Sequence, residues 1–224
     1  MTVSLSPCCI KEGSGNVEIR ILGIELERFK RQNPDPAADL PPSILEAWSE
    51  RHPSIKNPTA RTASLAGVWL LWKSGVNASL CYTESGKPTL LSDTCACAVS
   101  ITHTDHYAFC AVATDADAKI DLSIGLDAEE IIGRSADRMT SIASRFFTAR
   151  ERSYLEKMPT EARFLEIWTK KEALVKCTGD GMRGLHAADT QQTSYSFSHF
   201  SQNNVRLSLA YPKGLIPPRE IEMV

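Results

Sequence analysis

One stretch combines helical spacing with a charge where an apolar residue belongs: Phe164-Leu-Glu-Ile-Trp-Thr-Lys-Lys-Glu-Ala-Leu-Val-Lys-Cys-Thr-Gly179. At about 100° per residue, Leu165, Trp168, Glu172 and Val175 fall on one narrow side of the predicted helix. A carboxylate thus points inward with a tryptophan and two aliphatics. Buried without a partner, it costs several kcal/mol or takes up a proton, so something cationic must meet it. Lys176, one turn on, is one candidate; a metal ion is the other. Two more acids, Asp127 and Glu129, lie in Ile124-Gly-Leu-Asp-Ala-Glu-Glu130, at the end of a predicted strand whose apolar members are Ile120, Leu122, Ile124 and Leu126. Side chains two apart on a strand share a face, so both acids can aim at one point. Alone they fit a solvated strand end equally well. With Glu172 they make an all-oxygen set suited to a hard divalent cation, Mg²⁺ first, in which all three can stay ionised.

The chain of 224 residues, 42% hydrophobic, is ample for one large domain or two small ones. A formal net charge of -2 argues against wholesale nucleic-acid binding and leaves phosphate contacts local. No apolar run reaches the ~18 residues of a membrane span, and residues 1–12 fall short of a signal peptide's continuous apolar core. Seven cysteines without framework spacing suggest reduced thiols, and Cys95-Ala-Cys97 has no second pair to make a zinc site. The expectation is a soluble, cytoplasmic, monomeric protein.

Val17 to Leu26 alternates as a strand, with Gly23 breaking the phase as in a bulge. After the turn-rich Asn33 to Pro42, a helix is predicted from Ser43, as N-cap, to Arg51. A second, apolar helix opens at Thr59 and stops near Gly75. Strands follow at Ala96 to Thr102 and Tyr107 to Thr114, then another from Ile120 to Glu129. Further helices are expected from Ser135 to Ser144 and, with a Thr148/Glu151 capping box, from Thr148 to Lys157. Two last strands run from Tyr195 to Phe200 and Val205 to Tyr211. Arg61 to Gly75 and Arg163 to Gly179 are both apolar helices ending in a lysine just before a glycine, each followed by strands. This faint repeat suggests two related halves, 1–114 and 115–224, joined by the small, polar Asp115-Ala-Asp-Ala-Lys119.

Phosphate binding needs cations. Lys87 sits in a Gly86-Lys87-Pro88 loop where glycine permits close backbone approach, His103 follows a strand, and Arg61 starts a helix. Each is equally at home as an ordinary surface residue. A serine or cysteine nucleophile has no motif support: Gly-x-Ser-x-Gly is absent, and Gly179-Asp-Gly-Met-Arg-Gly184 lacks the Walker lysine-serine ending.

In order, Gly86-Lys87-Pro88-x-Leu90, Ser100-Ile-Thr-His103-Thr, Ile124-Gly125-Leu-Asp127-Ala-Glu129 and Trp168-Thr-Lys-Lys171-Glu172-Ala173-Leu-Val-Lys176 resemble the motifs of the 4′-phosphopantetheinyl transferases of the Sfp type, in the subgroup with the Trp/Lys-Glu-Ala signature. Arg145-Phe-Phe147 through Glu151 fits the helix before the last motif. The resemblance implies an α/β (α+β) protein of two pseudo-symmetric halves, each a small, mostly antiparallel sheet packed with helices. It implies Mg²⁺-dependent transfer of phosphopantetheine from coenzyme A to a serine of an apo carrier protein, releasing adenosine 3′,5′-bisphosphate. Asp127, Glu129 and Glu172 would then bind Mg²⁺, Lys176 and Lys87 would neutralise phosphate charge, and His103 would contact the 3′-phosphate. Arg61 would lie on the phosphate or adenine side, and Glu172 or a metal-held water would take the serine proton. Ser100 and Thr102 stand where the family often has Asn and Ser, and Ala128 is smaller than usual. The rival readings are a non-catalytic coenzyme A- or carrier-binding protein and a metal-dependent phosphohydrolase.

Overall fold

A computed structural model describes residues 17–53, 55–117 and 122–224. Strand β1 (Val17–Glu25) leads directly into helix α1 (Leu26–Gln32), followed by α2 (Pro36–Asp39), α3 (Pro42–Arg51) and α4 (Pro58–Lys73). The ribbon β2 (Ser79–Tyr82) and β3 (Pro88–Leu91) and the hairpin β4 (Ala96–His103) and β5 (Tyr107–Asp115) complete the first part. The second part holds β6 (Gly125–Glu130), α5 (Ala136–Phe146), α6 (Ala149–Glu156), α7 (Glu161–Thr178), α8 (Gly181–Gly184), the hairpin β7 (Tyr195–Gln202) and β8 (Val205–Pro212), and β9 (Glu222–Met223).

The larger sheet runs β4-β5-β1-β9 and the smaller β6-β8-β7, and both are antiparallel except where β9 lies parallel to β1. The winding repeats. A first strand (β1 or β6) is followed by a long helix (α4 or α7) and then a hairpin whose second strand pairs with the first. Both helices stop at a glycine with positive φ, Gly75 at 75° and Gly179 at 80°, as a left-handed C-terminal stop requires. The fold is thus mixed α+β with small, mostly antiparallel sheets, as the motifs suggested.

Packing is in layers. Helix α4, with α1 and α3, covers one face of the larger sheet through Trp48, Trp69, Leu70, Val99 and Cys110. The other face, with Ile19, Ile21, Phe109 and Ala111, meets Ile124, Leu126, Leu207 and Leu209 of the smaller sheet. Helix α7 closes the far side. The free edge of β6 lies against β4, where the buried Ser100 Oγ accepts the Leu126 N–H at 2.8 Å. An outward-facing edge donor is thereby satisfied away from water.

Several sequence expectations change. Gly23 makes no bulge, since β1 and β5 pair without interruption from Val17↔Asp115 to Glu25↔Tyr107. The glycine is needed because a Cβ there would lie 2.8 Å from the Phe109 ring and the Met223 Sδ. Helix α3 starts at Pro42, with Pro41 rather than Ser43 at the N-cap and no side-chain cap. Helix α4 begins at Pro58, capped by Asn57 Oδ1, which accepts from the Thr59 and Ala60 N–H groups. The strand carrying the two acids begins at Gly125; Leu122 to Ile124 belong to no strand, and 120–121 lie outside the described residues, as do 118–119 of the polar crossover. The Thr148/Glu151 capping box is present. Helix α1 and strand β9 were not foreseen.

Candidate functional site

Gly125 decides where α7 sits. A Cβ there would be 1.9 Å from the Ala173 carbonyl oxygen and 2.4 Å from the Cys177 N. Only glycine lets the helix backbone lie directly on β6. Two residues on, Asp127 points to this same face, and Glu129 follows it. Across the sheet, Asp127 pairs with Ser208 and Ser208 with His199, while Glu129 pairs with Arg206. Ser208 Oγ lies 2.6 Å from Thr169 Oγ1 and 3.0 Å from His199 Nδ1. The floor beneath α7 is therefore polar.

Asp127 is 6% exposed. Lys176 Nζ donates to its Oδ1 at 2.7 Å and to Thr102 Oγ1 at 3.2 Å, so β4, β6 and α7 meet at this point. Thr102 in turn donates to Asp127 Oδ1 at 3.4 Å. The other oxygen, Oδ2, is buried with no hydrogen-bond partner. Burial pushes the Asp127 pKa up, and the Lys176 ammonium does not reverse it. Glu129 is also raised, by burial and then by the Asp127 charge, against the opposing Arg134 and a Trp168 hydrogen bond. Glu172 is raised to about 7 by burial, then by Asp127, with Lys176 opposing and Glu129 adding repulsion. The Asp127 charge thus helps to raise both glutamates, and Glu129 helps to raise Glu172.

Lys176 thus serves Asp127, not Glu172, and among the described residues none forms an ion pair with Glu172. Trp168 and Glu172 are half-buried, whereas Leu165 and Val175 are buried. The inward face of the sequence pattern opens at its middle onto this cluster. The chemistry of the set fits a hard divalent cation: carboxylate oxygens only, mutually repelling, with one buried oxygen unpartnered. Among the described residues, no three His, Cys, Asp or Glu side chains are drawn together closely enough to form a metal-holding group as they stand.

The remaining sequence candidates divide. His103 ends β4 beside Thr102, and its pKa is lowered by the surrounding protein and by Lys176. His52, at the end of α3, is close enough to lower it further. Arg61 is exposed with its guanidinium 4.7 Å over the Trp48 ring, on the α3–α4 side where His52 stacks edge-on against Tyr82 at 5.5 Å. Arg51, which sequence reading passed over, lies against Gly86, whose φ of 86° favours glycine. Lys87 goes elsewhere. It donates to the Cys177 carbonyl at 2.5 Å and Ser123 Oγ at 3.0 Å, tying its loop to the C-terminal turn of α7. A cation suits that end of a helix.

Two further side chains were missed. Arg134 donates to Glu129 and, at 2.7 Å, to Glu161 in the first turn of α7. Lys171, beside Glu172 in sequence, is fully buried and pairs at 3.0 Å with Glu151, which is 1% exposed. Glu151 also accepts from the Thr148 N–H, the Thr190 N–H and the Thr190 hydroxyl. Lys171 donates a second bond to the Ala188 carbonyl. This pair anchors α7 to α6 and the loop after α8. The capping box was a visible signal for Glu151, but nothing in the spacing named its second partner.

Residues 123–213 match the family model of the 4′-phosphopantetheinyl transferase superfamily. The chain is similar to the 4′-phosphopantetheinyl transferase HetI of Nostoc sp., 34% identical over 118 residues, covering 50% of this chain and 46% of that protein. It is also similar to a putative 4′-phosphopantetheinyl transferase of Synechocystis sp., 30% identical over 107 residues, covering 46% of this chain and 40% of the relative. The chain thus spans less than half the length of the curated relatives it matches. The matched segment contains Asp127, Glu129, Glu172 and Lys176.

Proposed function

We propose that this protein is a Mg²⁺-dependent 4′-phosphopantetheinyl transferase, moving phosphopantetheine from coenzyme A to a serine hydroxyl of an apo carrier protein. The observation that carries the reading is the Lys176–Asp127 ion pair where β4, β6 and α7 join, with the Glu172 carboxyl raised by burial and by the Asp127 and Glu129 charges, inside the segment that matches the superfamily. The reaction forms a bond from the serine oxygen to the phosphorus bearing the pantetheine arm. It breaks that phosphorus's bond to the bridging oxygen, which leaves with the electron pair on adenosine 3′,5′-bisphosphate. Mg²⁺ held by Asp127, Glu129 and Glu172 would supply neutralisation of the pyrophosphate charge.

This chain's own residues do the rest. Lys176, fixed by Asp127 and Thr102, sets a positive charge beside the pyrophosphate. Glu172, half-buried beside Asp127, or a metal-held water would take the serine proton. His103 and the exposed Arg61 would serve the phosphate and adenine end. Lys87, which here bonds the Cys177 carbonyl at the α7 C-terminus, would add positive charge for the phosphates from that side. No enzyme nucleophile is needed, in keeping with the absence of one by motif.

The test is the intact mass of apo carrier proteins after incubation with this protein, coenzyme A and Mg²⁺. A gain of one phosphopantetheine arm, abolished by EDTA, is expected. Coenzyme A binding without mass gain on fatty-acid, polyketide and nonribosomal-peptide carriers would overturn the reading in favour of a binding protein. Phosphate release with no carrier present would favour a phosphohydrolase.

A further inference from the structure

We propose that Arg134 is a positioning residue for the acid cluster, holding Glu129 and Glu172 in their mutual register through the first turn of α7. The proposal rests on the cation-binding part of the function above. Its evidence is geometric. Arg134 lies in the turn between β6 and α5, and its side chain is 10% exposed. One guanidinium nitrogen donates to Glu129 Oε2. The other donates to Glu161 Oε1 at 2.7 Å and to the Glu130 carbonyl at 2.5 Å. Glu161 is the first residue of α7 and also accepts the Ile132 and Gly133 N–H groups, at 3.1 and 2.9 Å.

A single planar group therefore spans an acid of the cluster, the strand that carries it and the start of the helix that carries Glu172. The α7 backbone is seated on Gly125 at its other end. Arg134 adds a hold at the N-terminal end to the Gly125 seat and the Lys171–Glu151 pair further along, and Glu172 lies between that N-terminal hold and the Gly125 seat. A planar fork can serve two carboxylates at once; an ammonium is a point charge and holds one geometry less firmly. Partners that orient metal-binding carboxylates typically contribute about 10–100-fold in metal affinity. Arg134 is also a cation beside Glu129, so as a mere competitor it would weaken metal binding. The two roles predict opposite signs.

The experiment measures Mn²⁺ affinity by electron paramagnetic resonance of the free ion, with coenzyme A present, for the wild type, Arg134→Ala, Arg134→Lys and Glu161→Gln. Urea unfolding without metal establishes the folded fraction of each. The expected result is about tenfold weaker Mn²⁺ binding per folded Arg134→Ala molecule, little recovery in Arg134→Lys, and weakening in the same direction for Glu161→Gln. Unchanged or tighter Mn²⁺ binding in folded Arg134→Ala would overturn the proposal, as would full recovery by lysine. If Arg134→Ala does not fold, Arg134→Lys and Glu161→Gln decide alone, and wild-type affinity in both overturns it. A wild type that binds no Mn²⁺ also overturns it. A wild type that binds Mn²⁺, loses affinity in these variants and labels no carrier leaves this inference standing and removes the transferase.

Discussion

Lys171→Met tests whether α7 is held by a buried charge pair or by its apolar contacts. Lys171 and Glu151 are 0% and 1% exposed at the side chain, 3.0 Å apart. Breaking such a pair from one side costs about 3–5 kcal/mol, because the remaining charge is stranded. The two ends are unequal. Without Lys171, the Glu151 carboxylate still accepts from the Thr148 N–H and from both the N–H and hydroxyl of Thr190, placing Lys171→Met near the low end, about 3 kcal/mol. Without the acid's charge, the ammonium keeps the Ala188 carbonyl and at most a neutral amide oxygen, placing Glu151→Gln nearer 5 kcal/mol, on the order of that upper bound. The double variant strands no charge, although the Ala188 carbonyl loses its Lys171 donor, and Gln still serves the capping box. It should therefore lose no more than about 2 kcal/mol, since hydrophobic replacement of a buried pair is often close to neutral. Urea unfolding followed by tryptophan fluorescence on the four proteins completes the cycle. Additive losses, or a Lys171→Met loss below about 1 kcal/mol, would refute the stranded-charge argument.

Three other perturbations bear on the site. Glu172→Gln should keep the fold and lower carrier labelling by about 100-fold or more, the scale of a lost general base; near-normal turnover removes Glu172 from proton transfer. Gly125→Ala forces a Cβ into the α7 backbone at 1.9 Å, so it should destabilise by at least about 3 kcal/mol, read by urea unfolding. Stability within 1 kcal/mol or so of wild type would mean α7 shifts freely. Burial lowers the His199 pKa to about 4, and Lys170 adds to the effect against Glu166. A histidine depressed in the folded state leaves stability intact above its ordinary value of 6.5. Stability then falls as the pH drops from there towards 4, because the unfolded chain takes the proton first. His199→Gln should flatten this decline in thermal midpoint between pH 7 and 4.5. An equally steep decline would assign it to other groups, although His106, raised by its hydrogen bond to Glu130, acts in the opposite sense.

How much was legible can be read from particular residues. Periodicity located α4, α7 and the hairpin strands, because burial on one face imposes a period on local sequence. The Thr148/Glu151 cap and the left-handed Gly179 stop were likewise written within a few residues. So was the anomaly at Glu172, since a charge on an apolar face is visible without coordinates. The acids at 127 and 129 were correctly placed on a common strand face, but their partners were not. Lys176, one turn from Glu172, instead reaches Asp127 on β6, and Lys87 reaches the end of α7.

The sequence by itself determined the longer helices, most of the strands and the acids at 127, 129 and 172 that could not be idle. Only the tertiary structure decided which of them meet. Ion pairs such as Arg134 with Glu161, Lys171 with Glu151 and Lys176 with Asp127 join residues 27, 20 and 49 positions apart. No period encodes such a separation. It follows from the strand order β6-β8-β7 and from the depth to which Gly125 lets α7 settle on that sheet. Electrostatics falls off with distance in space, not along the chain, so the chemistry of the site became readable only once α7 was set on β6.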